Sequence, residues 1–66
     1  MEYSFYVLAK HLNPFEVEFV AAKDAPVYPF STELRHARTY ATTAQAERYN
    51  PFAHLGFSPT KVVATI

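Results

Sequence analysis

Metal ligation, acid–base chemistry and nucleophilic attack each need particular side chains at particular spacings, and this chain holds few of them. Its three histidines are His11, His36 and His54. None has a second ligand at the spacing of a zinc site, such as His-x3-His or His-Glu-x-x-His, so they read as three separate surface or loop side chains. Glu16 and Glu18 alternate along one strand and stand about 6.5–7 Å apart. Carboxylate pairs at such distances serve glycosidases, but these two alternate with apolar residues and read as solvated glutamates on the outer face of a sheet. Ser4, Ser31 and Ser58 lie outside any Gly-x-Ser-x-Gly nucleophile turn. One glycine cannot build a phosphate-cradling loop, and without cysteine there is no disulfide or thiolate metal site. The expectation is a protein that is not an enzyme and that carries no metal or cofactor.

Two surface features remain. The densest charge cluster is Arg35-His36-Ala37-Arg38. With exposed tyrosines it could bind single-stranded nucleic acid, cations on phosphate and rings on bases, through Arg35, His36 and Arg38. Against this, six basic residues balance six acidic ones, so the whole chain exerts no long-range pull on nucleic acid or on an anionic membrane. Arg35 and Arg38 would then answer Glu33 and the other carboxylates. No segment matches the aromatic consensus of an RNA-recognition motif.

The second feature is apolar. On the face marked as outer by Glu16 and Glu18 stand Tyr6, Leu8 and Val20, where polar residues belong. Apolar groups on a solvated sheet face mark a binding surface or a layer still to be covered. Either a partner protein covers them, with Tyr28 and Phe30 adding to the contact, or Val27-Tyr28-Pro29-Phe30 folds over the face and buries it. Tyrosine suits an interface because it offers a large contact area with a polar tip.

These residues must be held by a small number of elements. Glu2–Lys10 reads as a strand, with Tyr3, Phe5, Val7 and Ala9 on one face and Ser4, Tyr6, Leu8 and Lys10 on the other. Asn13-Pro14 makes a turn. Phe15–Ala22 is the next strand, its Phe15, Val17, Phe19 and Ala21 facing the core. Pairing Ala9 with Val17 sets Lys10 against Glu16 and Leu8 against Glu18. Val27–Phe30 is an edge strand or a connection, because its proline cannot donate to a ladder. Residues 31–36 turn into a short strand at Arg38–Ala41; alternatively Leu34, Ala37 and Tyr40 share one side of a helical turn. Thr42 with Gln45 three residues on forms a capping box. The helix it opens is kinked or split at Asn50-Pro51, with Ala44, Tyr49, Phe52 and Leu55 inward and Gly56 as a left-handed cap. Lys61–Ile66 closes the sheet, with Val62, Ala64 and Ile66 on one face.

The fold class expected is therefore α+β: an antiparallel sheet of three or four strands with one helix, Pro-kinked or split, packed on one face. The 66 residues make a single domain. Burial and ordering entropy come out equal, on the order of 100 kcal/mol each, so such a domain gains from a partner or a second copy. No apolar run reaches the ~20 residues of a membrane span, and no basic segment precedes an apolar stretch at the N-terminus; the expected compartment is the cytoplasm.

The succession of an aromatic hairpin, Leu34-x-x-Ala37-x-x-Tyr40-x-Thr42, a helix opening Thr42-Thr43-Ala44-Gln45-Ala46-Glu47 and a closing Val62-Val63 strand resembles small accessory proteins of bacteriophages and other mobile elements. The resemblance lies in layout and size. It implies a small binding protein that inhibits or redirects a host or defence protein in the host cytoplasm. Self-assembly and nucleic-acid binding are the alternative readings.

Overall fold

The computed structural model describes residues 1–65. Strands β1 (Glu2–Asn13), β2 (Glu16–Val20), β3 (Phe30–Ser31) and β4 (Ser58–Thr65) form one antiparallel sheet in the order β3-β2-β1-β4. A single helix, α1 (Thr43–Arg48), precedes β4. The α+β architecture is the expected one, with four strands and the helix packed on one face.

The hairpin is tighter than the pattern suggests. β1 runs on to Asn13 and β2 begins at Glu16, so Pro14 and Phe15 alone make the turn. Asn13 drives it: its Oδ1 accepts the Phe15 N–H at 2.8 Å, an Asx turn, and its Nδ2 donates to Glu16 Oε1 at 3.2 Å. A bulge between His11 and Asn13 absorbs the odd residue. Ala9 therefore lies opposite Phe19, not Val17, with Lys10 opposite Glu18 and His11 opposite Val17. The slip is two residues, an even number, so every side chain keeps its face.

β3 is only two residues long; Val27, Tyr28 and Pro29 form a connection, and Pro29 O accepts the Ala21 N–H at 2.8 Å. Leu34–His36 is a 3-10 turn, within the turn expected at 31–36. In place of a strand at 38–41 there are two isolated antiparallel bridges, Ala21 with Ala37 and Tyr6 with Tyr40. They tie the end of β2 and the middle of β1 to the chain entering the helix. Thr42 caps that helix as expected: its Oγ1 accepts the Gln45 N–H, while Gln45 Oε1 accepts from Ala41, both at 3.1 Å. The helix stops at Arg48, before Asn50-Pro51. Asn50 then bonds Phe57 O and the Phe52 N–H, at 3.0 and 3.2 Å, holding the exit in place. A 3-10 turn, Ala53–Leu55, ends at Gly56 with φ of 96°. Of the residues expected to face inward here, Phe52 is half-buried, whereas Ala44, Tyr49 and Leu55 are exposed; Ala46 is the buried one. With so short a helix, one residue alone is fully buried. β4 starts three residues earlier than the pattern indicates; Ile66 lies outside the described residues.

The helix-side core joins Leu8, Val20, Tyr40, Ala46 and Phe57, with Tyr6, Phe30 and Phe52 packed against them. Phe30 stacks on Phe57 at 5.1 Å and meets Phe52 edge-on at 5.0 Å, favoured geometries for aromatic pairs. Lys10 lays its stem beside Gly56 and its ammonium 5.1 Å above the Phe57 ring. Gly56 is needed for its positive φ more than for space. Gly56→Ala is expected to lower stability by more than about 1 kcal/mol, read as a reduced urea midpoint with an unchanged slope.

Candidate functional site

Helix α1 and the turn that follows it sit on the face that Glu16 and Glu18 mark as outer. Leu8 is fully buried and Val20 is 5% exposed, while Tyr6 and Phe30 are half-buried. The proposed contact residues Tyr6, Leu8 and Val20 are thus covered from within the chain. The cover is not the 27–30 segment alone: Phe30 contributes, but Tyr40, Ala46, Phe52 and Phe57 do most of it. Of the five, Tyr28 alone is freely exposed, at 50%. Both glutamates lie nearer the hairpin tip than Val20; Glu16 is exposed and Glu18 half-buried.

The opposite face carries Tyr3, Phe5, Val7, Ala9 and His11 from β1, Val17 and Phe19 from β2, Ser31 from β3, and Ser58, Thr60, Val62 and Ala64 from β4. Val7 and Ala9 are buried there together with Ala37, and the half-buried Phe5, Val17, Phe19 and Val62 close around them. Tyr3 stacks on Phe5 at 5.9 Å. Among the described residues this second apolar cluster holds no residue of a helix; its one member from outside the four strands is Ala37. None of its strand residues is Asp, Glu, Lys or Arg. A sheet of this kind normally buries its apolar faces between layers, and on this face the cluster is built from the strands and Ala37. The molecule exposes 4645 Å², against about 4,200 Å² for a compact monomer of this mass.

The basic cluster is divided. Arg35 Nη2 pairs with Glu33 at 3.1 Å, and His36 Nδ1 stands 3.2 Å from the same carboxylate and 3.3 Å from Ser31 Oγ. Arg38 turns the other way, over the Tyr40 ring at 5.3 Å. The three residues therefore do not form one patch. Among the described residues no three His, Asp or Glu side chains gather as a metal site would require, and no helix is long and apolar enough to cross a membrane.

No protein-family model, curated protein sequence or solved structure matches the chain.

Because Leu8 is fully buried, a charge placed there has no solvent to face. Leu8→Glu should unfold the domain, because it combines lost packing of about 2–5 kcal/mol with an unpaired buried carboxylate. Far-UV circular dichroism of the variant should lack the native spectrum; a native spectrum would mean that Leu8 is accessible.

Proposed function

We propose that the chain is a non-enzymatic protein-binding module acting through the open sheet face, and that the protein seated there is a second copy. The observation that carries this is an apolar face free of Asp, Glu, Lys and Arg. An uncharged face is complementary to itself. Two copies related by a two-fold axis would bring no like charges together, and Phe5, Val17, Phe19 and Val62 would interdigitate across the axis. Sheets stack about 10 Å apart in this arrangement. The product is a four-layer assembly with a helix on each outer side. Pairing of β4 edge to edge is the less favoured geometry, since Pro59 and Lys61 on that strand are residues that blunt edges. The sequence's resemblance to phage accessory proteins would fit a protein as the partner, and inhibition of a host or defence protein would be a use of such an assembly.

Thr60 and Tyr3 are exposed residues of this face outside both buried clusters. Sedimentation over a concentration series should give a dimer mass for the native chain. Thr60→Lys and Tyr3→Lys, each with an unchanged circular dichroism spectrum, should give monomers, since like charges juxtaposed at an interface cost several kcal/mol. A native chain that stays monomeric, or lysine variants that dimerise as well as it does, would overturn the reading.

A further inference from the structure

A cleft of about 360 Å³ opens on the helix side, beyond the end of β2. Three stretches of chain wall it: the end of β2 and the loop to Tyr28, Arg38 with the bridge residue Tyr40, and the helix exit from Arg48 to Phe52. Its volume falls near the lower end of small-molecule sites, which run from about 300 to 1,000 Å³.

The lining has a definite chemistry. Lys23, Arg38 and Arg48 all contribute, which is half of the six Lys and Arg of the chain, and none of its six carboxylates does. Every ion pair between side chains of the described residues involves Glu33, with Arg35 or His36. Lys23, Arg38 and Arg48 therefore have no carboxylate partner there, and their charge is available to a ligand. The apolar part of the lining joins four aromatic rings to Val20, Ala21 and Pro51. Tyr40 and Phe52 form the inner wall, and Tyr28 and Tyr49 stand at the rim, 50% and 51% exposed. Arg38 lies over the Tyr40 ring at 5.3 Å and Arg48 over the Tyr49 ring at 5.5 Å, so each guanidinium is set beside a ring.

We infer that this cleft binds one nucleotide unit, its phosphate on Arg38, Arg48 and Lys23 and its base stacked on the rim tyrosines. Guanidinium groups take phosphate oxygens in pairs through parallel N–H donors. Base–aromatic stacking accepts every base, because each has a π face. A plain phosphate site would not need two half-exposed tyrosines, and an apolar ligand would leave three cations unmatched. The nucleotide can be free or part of a single strand; both present the same chemistry. The zero net charge of the chain is no obstacle, because at contact distance the ligand meets the three local cations. This site is separate from the open sheet face and from Arg35 and His36.

The test uses adenosine monophosphate, adenosine, inorganic phosphate and a labelled single-stranded oligonucleotide at low salt. The chain has no tryptophan, so its emission comes from five tyrosines, two of them at the rim of the cleft. The monophosphate should quench that emission and bind at least tenfold tighter than adenosine or phosphate alone. Arg38→Gln with Arg48→Gln should weaken it at least tenfold. Tyr28→Ala with Tyr49→Ala should weaken the monophosphate but not phosphate, whereas Arg35→Gln should change nothing. If a strand binds, the logarithm of its affinity should fall with the logarithm of salt at a slope of about −2, the value for three cations on single-stranded phosphate. Binding of the monophosphate alone identifies a free nucleotide as the source; binding of the strand as well identifies a nucleic acid. Equal affinity for monophosphate and phosphate, no binding of monophosphate or strand, or undiminished binding by the folded arginine double variant would overturn the inference.

Discussion

Val7 and Leu8 are neighbours on β1, point to opposite faces of the sheet and are the two largest side chains fully out of solvent. The rest of the molecule is arranged around that pair. Leu8 is enclosed by Tyr40, Ala46 and Phe57, which requires the Ala37 and Tyr40 bridges, the cap at Thr42 and the return at Gly56 to bring those residues over the strand. Val7 is buried with Ala9 and Ala37, and Phe5, Val17, Phe19 and Val62 pack against them. One short helix cannot serve both faces. The chain thus has two apolar cores, one under the helix and one built from the opposite sheet face and Ala37.

Charge follows a similar division. Balanced totals of acid and base conceal a segregated distribution. Glu33 takes up Arg35 and His36 on one side, and the tyrosine-lined cleft collects three other cations without a carboxylate. Net charge describes the pull felt far from the molecule, and salt screens most of that pull beyond a Debye length of about 10 Å at 0.1 M. It says little about a ligand already in contact.

Features set by neighbouring residues were legible in the amino-acid order. Asn13 and Pro14 mark the hairpin, Thr42 and Gln45 the helix start, and Gly56 the left-handed cap, because each acts through hydrogen bonds or dihedrals a few residues long. The covered face was not legible. Glu16 and Glu18 do share a face with Leu8 and Val20, but they lie toward the hairpin tip, and the helix covers only the part of that face nearer the middle of β1. A polar residue on a strand reports on its own position, not on the whole face. The register slipped for a related reason: the Asx turn and the bulge shorten the loop, and alternation alone cannot tell registers that differ by two. The cleft joins residues from 20 to 52, and no spacing signals it. The traces it left were Arg38-x-Tyr40 and Arg48-Tyr49, each a cation beside a ring.

The pairing of β1 with β4 reaches from Glu2 opposite Thr65 to Ala9 opposite Ser58. It joins almost the first described residue to the last, so the loop it closes is nearly the whole chain. The β1–β2 hairpin closes over two residues and carries little of that entropy. Assembly is therefore ordered in time: the hairpin can form early, while the other edge of β1 has no hydrogen-bonding neighbour along its first half until residues 58–65 arrive. During that interval the central strand of the finished sheet is an open edge, rich in tyrosine, phenylalanine, valine and leucine. The same strand that organises the native fold is the part of the nascent chain most exposed to wrong pairing, and the speed with which β4 docks sets how long that exposure lasts.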